Sequence, residues 1–348
     1  MDKYTPDLES VTSRAHMITN KARLAPSRLL LALSVLALVS LGIALSIGSG
    51  SAGPGALVDV ISGSAETPTR DILLKLRLPR ALSAFGTGAT LALAGVLMQV
   101  LLRNPLADPY ILGTSGGAAV AALLAMLAGA GALLIDAAAF GGALASTLLV
   151  FLIARYHGDW APGRLLLTGV VIAAGWGAVI SLILATAPEA NVRGILFWLM
   201  GDFSFAGNPA PSLLAASVAV AAGLMLARSL NVLATGDQQA TLLGLRVRPV
   251  RTSIYLLSSL LTAVAVTTAG TVGFVGLVVP HLVRLISGAD HRSLIPNAAL
   301  AGGSLLVIAD TIARTIAAPR QLPVGAITAV IGVPLFLFLL GRTISSRD

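Results

Sequence analysis

The chain has 348 residues, 56% of them hydrophobic and only 11% charged, with apolar runs recurring along nearly the whole length. That composition makes it a polytopic membrane protein with no room for a separate soluble domain. Its formal net charge of +8 lies in short loops between apolar runs, where basic residues set orientation and argue against nucleic acid as a partner, and the absence of cysteine excludes disulfides and thiolate metal or redox sites.

Residues 1–27 are polar and read as a cytoplasmic N-terminal segment. They carry Lys21 and Arg23 ahead of an apolar run, Leu29 to Ile47, that is too long for a signal-peptide core and reads as a retained first span. The runs that follow predict an all-α chain of about ten crossing helices. These fall near 28–48, 81–102, 115–134, 137–155, 164–187, 210–228, 252–270, 272–287, 297–314 and 322–341. Residues 28–342 thus form one transmembrane domain and 343–348 a cytoplasmic tail. The 252–287 region is the hardest to divide, because only Ala269, Gly270 and Thr271 punctuate it.

With the N-terminus in the cytoplasm, the inner segments hold 16 of the 23 Lys and Arg residues, the asymmetry that the positive-inside rule requires. Both termini are therefore expected to face the cytoplasm. The exceptions are Arg70, Lys75, Arg77, Arg80, Arg193, Arg314 and Arg320, and four of them crowd just ahead of the second span. Singly, each suits a lipid headgroup or Asp71. As a cluster they suggest an outer surface that receives an acidic partner.

The second span is bracketed by two polar, proline-containing segments, Arg77-Leu-Pro-Arg80 and Arg103-Asn-Pro-Leu-Ala-Asp-Pro109, whose prolines hold loops in defined shapes. A further polar stretch, Thr235 to Val250, opens with a cap-like Asp237 and reads as a short helix, a break at Gly244 and a second short turn.

Taken in order with Gly273-Phe-Val-Gly-Leu-Val-Val-Pro-His281, Ala309-Asp-Thr-Ile-Ala-Arg314 and Leu322-Pro-Val-Gly325, these segments resemble the permease family of ATP-binding-cassette (ABC) importers for iron–siderophores, haem and vitamin B12. The resemblance runs from about Leu76 to Arg342. It implies one half of a homodimeric pore in a bacterial inner membrane, a multi-pass protein bathed in lipid. Two separate ATPase subunits would carry ATP and Mg²⁺, and a periplasmic or surface substrate-binding protein would dock outside. The chain itself would be no enzyme and would hold no cofactor or metal.

Residue roles follow from the same resemblance. Arg77, Arg80 and Arg314 match arginines that pair with glutamates of the binding protein. Asp237, Gln238, Gln239, Ala240, Gly244 and Leu245 match a degenerate coupling helix that engages the ATPase. Asn104 and Leu106 match an inner gate loop, and Ala161 and Pro162 stand in the second gate where the vitamin B12 branch has small hydroxyl residues. Thr168, Ser181 and Thr328, on the fifth and tenth spans, are expected along an otherwise apolar translocation path through which a bulky chelate moves by alternating access. Ferric chelates rank first as cargo, cobalamin second and haem third.

An absence agrees with a borrowed motor. A P-loop needs a glycine-rich turn ending in Lys-Ser or Lys-Thr, and Lys3, Lys21 and Lys75 do not follow glycine. The rival, a carrier driven by an ion gradient, calls for ionisable groups at mid-membrane. Asp136 and Asp310 lie near span ends, and the centres of the second, third, fifth, seventh and tenth spans hold no carboxylate. A membrane enzyme fits less well, since His16, His157, His281 and His291 show no metal-ligand spacing. His281 reads as structural rather than as a haem ligand. Trp176 could contact substrate or an interface, Trp198 belongs at the interface, and Gln99 is either a hydrogen-bonding group between helices or a pore residue.

Overall fold

The computed structural model describes residues 25–345 except 49–52, 54, 157–161 and 205. The expected gate residue Ala161 and the segment 1–24 therefore lie outside the described residues. Helix α1 (Pro26–Ser46) is followed by the short α2 (Ala56–Ser62). Then α3 (Thr67–Asp71), a π-helical stretch (Ile72–Arg77) and α4 (Leu78–Leu102) run on as one rod. Pro79 offers no N–H to the preceding turn, and the π-helical stretch lies just ahead of it. A 3₁₀ turn (Pro109–Leu112) leads to α5 (Thr114–Leu127), α6 (Ala132–Arg155), α7 (Pro162–Thr186) and α8 (Glu189–Met200). After these come α9 (Ala210–Ala234), the short α10 (Asp237–Leu242), α11 (Val247–Ala269), α12 (Val275–Ser287), α13 (His291–Thr315) and α14 (Val324–Ser345).

Among the described residues seven helices are long and apolar enough to cross a membrane, and three shorter apolar ones, in α5, α12 and α14, accompany them. An apolar helix thus stands at each of the ten expected positions, seven of them of crossing length. Gly270, at φ +66°, ends α11 and settles the division of 252–287. Helix α8 was not foreseen: it is half a span long, and Glu189, Asn191 and Arg193 interrupt its apolar pattern.

Helix α4 is the axis of the fold. Nearly every residue from Ala81 to Leu102 is buried, against α13, α11, α9 and α12. Lipid tails are as apolar as leucine, so helices associate here through close packing, and small residues permit it. A Cβ on Gly95 would sit 1.8 Å from the Gly276 carbonyl of α12, and one on Gly88 would sit 2.2 Å from that of Gly302 on α13. At the opposite extreme, only 11% of the apolar window of α7 is covered, against 89% for the α3–α4 rod.

Helices α5 and α12 have 14 and 13 residues, about 20 Å each, too short for a core of about 30 Å. Irregular segments precede both of them. These meet inside the bundle, where the Tyr110 hydroxyl accepts a bond of 3.2 Å from Val272 N–H and a Cβ on Gly276 would lie 2.7 Å from Pro109. Non-helical backbone survives at membrane depth only when protein covers it and satisfies its polar groups.

Candidate functional site

At the end of the bundle where α4 begins, the arginines expected to dock a partner turn inward. Arg77 is 4% exposed and donates to the carbonyls of Leu45 at 2.7 Å and of Ser46 and Gly48 at 3.4 Å, completing the C-terminal end of α1. Arg314, 6% exposed, donates to the Ala44 carbonyl and lies 3.8 Å from Asp310. Arg80 holds Asp310 with Nε at 2.9 Å and Nη2 at 2.8 Å, reaches Gln321 Oε1 at 3.1 Å, and stands 3.8 Å from Asp202. Ser204 Oγ lies 2.8 Å from both Asp202 Oδ1 and Gln321 Oε1 and shares its one proton with them.

Arg77, Arg80 and Arg314 are therefore not an open cationic surface. They knit α1, α4, α13 and the loop after α8 together, because a guanidinium drawn out of water must spend its donors on carboxylates and carbonyls. Among the described residues, Arg70, Lys75 and Arg320 are exposed cations at this end, with Lys75 on the half-buried Asp71 at 2.8 Å. Arg193 lies over the Phe197 ring on α8.

At the opposite end, Arg103 closes α4 in the left-handed conformation, φ +50°. Asn104 accepts from Leu106 N–H through its side chain at 2.9 Å and from Ala107 N–H through its carbonyl at 3.1 Å, so the expected gate loop is a compact turn. Asn104 is exposed and Leu106 half-buried. Asp108 accepts from Tyr110 N–H at 2.7 Å and caps the 3₁₀ turn. Pro162 opens α7.

Beside this loop stands the α10 knob. Asp237 is not its cap: Gly236, at φ +117°, holds that position without a side-chain bond. The Asp237 carboxylate instead meets Arg251 on α11 at 2.8 Å and also Arg103. Gly244 takes φ +79°, with Leu245 N–H on the Ala240 carbonyl at 2.9 Å and Gly244 N–H on that of Thr241 at 2.9 Å, a Schellman closure. What was expected as a second short turn is the start of α11 itself.

Ala240 is buried, while Gln238 and Gln239 are exposed. Leu242 and Leu243 are 86% and 67% exposed, flanked by the exposed Arg246 and Arg248. Sequence reasoning passed over this leucine pair, although two adjacent leucines just ahead of a helix-stopping glycine were visible there. Nearby, Asn231 on α9 donates to Asp290 at 2.8 Å and accepts from His291 N–H at 3.0 Å. The bonds from Asn231 and from Arg292 N–H hold the Asp290 carboxyl below the usual carboxylate range.

Between the ends, Thr168 is half-buried and Ser181 exposed on α7, the Ser181 hydroxyl bonded back to Gly177 at 2.9 Å. Thr328 departs from its expected place on an open path. It is buried, donates to the Gly325 carbonyl at 3.0 Å, and lines a partly open pocket of about 280 Å³ formed by apolar side chains of α1, α12, α13 and α14. Trp176 donates to Ser146 at 2.8 Å and Gln99 to the Leu277 carbonyl at 3.2 Å, both as helix-to-helix bonds.

A model of the FecCD transport family matches residues 35–342. The hemin transport system permease protein HmuU of Yersinia pestis is 42% identical over 313 residues, 86% of this chain and 93% of that protein. The Fe(3+) dicitrate transport system permease protein FecD of Escherichia coli K12 is 40% identical over 278 residues, 78% of this chain and 85% of its own length. The vitamin B12 import system permease protein BtuC of Escherichia coli is 37% identical over 318 residues, covering 90% and 94%. A solved structure described as an inward-facing metal-chelate type ABC transporter superposes with a TM-score of 0.80 at 30% identity, over 91% of this chain and 99% of that one.

Proposed function

Because this chain belongs to the FecCD transport family, we propose that it is the permease subunit of an ABC importer that carries a metal chelate across the inner membrane by alternating access. One observation carries the reading: a likeness to importer permeases, in sequence and in structure, that runs over nearly the whole chain. Hemin, ferric dicitrate and vitamin B12, the cargoes named for three relatives, share one chemistry, a metal held in a bulky complex.

The subunit works as a homodimer with its termini in the cytoplasm. The nearly uncovered α7, whose exposed side carries Gly175, Gly177, Ala178 and Ser181, supports a second copy and a central path beside it, since small residues permit close helix approach. Thr168 and Ser181 border that path. Two ATPase subunits, which bind ATP and Mg²⁺, seat the α10 knob, with Asn104, Leu106, Ala161 and Pro162 at the gate above it. Burying Leu242 and Leu243 in an ATPase cleft supplies about 1.5–3 kcal/mol per residue. A substrate-binding protein docks at the other end, drawn by Arg70, Lys75 and Arg320. Such exposed pairs add only about 0.2–1 kcal/mol each but steer the approach. Arg77, Arg80 and Arg314 hold that face in shape.

The test is transport in proteoliposomes that hold the chain with the ATPase and binding protein encoded beside it. Haem, ferric dicitrate and cobalamin are offered in turn. One of them accumulates only when ATP is supplied, and a protonophore leaves the rate unchanged. Accumulation driven by a proton or sodium gradient without nucleotide overturns the reading in favour of a gradient-driven carrier.

A further inference from the structure

Three elements of the chain meet on one carboxylate oxygen. Asp237 Oδ1, at the start of α10, lies 2.8 Å from Nη2 of Arg251 on α11 and also contacts Nη2 of Arg103 at the end of α4. Otherwise α10 packs against α9 and α11, its neighbours in sequence. The bond to Arg103 instead spans 134 positions, and Arg103 is the residue from which the Asn104–Asp108 turn departs.

The two arginines differ in need. Arg251 has a side chain only 6% exposed and must have an anion nearby. Arg103 is 35% exposed and could be solvated by water. Holding it on Asp237 costs side-chain entropy against a smaller desolvation demand than that of Arg251. Burial and the nearby Arg251 both push the Arg103 guanidinium below its ordinary value, so without Asp237 the two cations would repel each other. Behind Arg103, the turn is closed by Asn104 N–H on the Gln99 carbonyl at 3.1 Å and by the two bonds to Asn104 described above. Arg103 is thus the residue that joins the end of α4 to a hydrogen-bonded turn.

We propose that Asp237 is a positioning residue that fastens the α10 knob to the Asn104–Asp108 turn through Arg103, so that movement of the knob reaches that turn directly rather than through the packed helices. The proposal rests on the ABC-permease reading. Its function is transmission, distinct from ATPase docking, which belongs to the exposed side of the knob.

The chain has no cysteine, so a spin-label pair can be placed at Leu106→Cys and Thr241→Cys without a background. The pair is measured by electron–electron resonance in the permease–ATPase complex, without nucleotide and after vanadate trapping of ATP. With Asp237 intact, the label separation is one narrow distribution in both states. Asp237→Asn is expected to broaden it and make it nucleotide-dependent in complexes matched for bound ATPase; a role in folding alone would leave the distance narrow in the complexes that form. Asp237→Glu, and the exchange of Arg103→Asp with Asp237→Arg, restore the narrow distribution. An Asp237→Asn pair that stays narrow and unchanged in both states overturns the proposal. If Asp237→Asn loses the ATPase altogether, the exchanged pair decides: recovered binding with one narrow distance upholds the proposal, and recovered binding with a broad one overturns it. A wild-type chain that binds no ATPase removes the permease reading itself, and the proposal with it.

Discussion

Arg80 clasps Asp310 across the interface of α4 and α13, with two guanidinium nitrogens at 2.8 and 2.9 Å from the two carboxylate oxygens, in a pocket where the carboxylate is 4% exposed. Arg314 stands one helical turn further along α13 and shares the same carboxylate at 3.8 Å. Asp310 is thus the near anion of both cations, with Asp202 a second, more distant one for Arg80 at 3.8 Å.

Asp310→Asn should lower the unfolding free energy by about 3–5 kcal/mol, because it takes the near anion from Arg80 and Arg314 and leaves Arg80 only Gln321 and the more distant Asp202, whereas the paired change Arg80→Met with Asp310→Leu should cost clearly less. Thermal unfolding in detergent compares the two. Equal losses would show that the pair contributes through packing rather than charge.

The exposed and buried cations should separate cleanly. Arg70→Glu, Lys75→Glu and Arg320→Glu together should leave thermal stability within about 1 kcal/mol while slowing association with an acidic binding protein at low salt, an effect that fades at high salt. Reversing Arg77, Arg80 and Arg314 should instead reduce the yield of folded protein. Stopped-flow association at two salt concentrations, beside melting curves, distinguishes the two sets, and equal on-rates for wild type and the surface triple mutant at low salt would count against docking there.

Leu242→Ala with Leu243→Ala should weaken ATPase binding by a factor on the order of 10² or more, about 1.5–3 kcal/mol per leucine, without moving the melting temperature, since both side chains are already exposed. Titration of the ATPase onto nanodisc-embedded permease measures it. A matching drop in melting temperature would place these leucines in the fold instead.

Gly95→Ala should cost about 1–3 kcal/mol or more, because the added Cβ meets the backbone carbonyl of Gly276 at 1.8 Å and neither helix can yield locally. Gly177→Ala, where nothing lies within 4 Å, should leave the single chain unaffected. If α7 faces a second copy, a bulkier Gly177→Leu should shift the dimer equilibrium seen by mass photometry and leave secondary structure intact.

Asp290 caps α13 with a bond of 3.0 Å from Arg292 N–H, and Asp290→Ala should cost about 0.5–2 kcal/mol. Because the folded-state value is depressed, the stabilisation is complete above the unfolded value near about 4. It is lost as pH falls through the folded one. The difference between wild type and variant should stay constant from pH 5 to 8 and shrink only below that window; a difference that closes already at pH 6 would mean the cap does not act through its carboxylate.

Run lengths of apolar residues set the number of crossing helices in advance, since bilayer thickness fixes how many residues a span needs. The Gly and Ala content of 81–102 likewise marked a helix made for close contact, and Gly244 marked a turn needing positive φ. The partners of the charges were not legible. Arg77, Arg80 and Arg314 meet groups 32, 230 and 270 positions away, so nothing near them in the chain distinguishes a cation aimed at solvent from one enclosed among carbonyls and a carboxylate. The same holds for Asp237, which reads as a cap in the sequence yet stands one position inside the helix and meets Arg103 and Arg251. Thr328 looked like a path residue by its helix alone, and the packing of α1, α12 and α13 around it buries its side chain. Hydropathy and turn chemistry are local and survive in the linear text, whereas charge compensation and burial are properties of neighbours that only folding brings together.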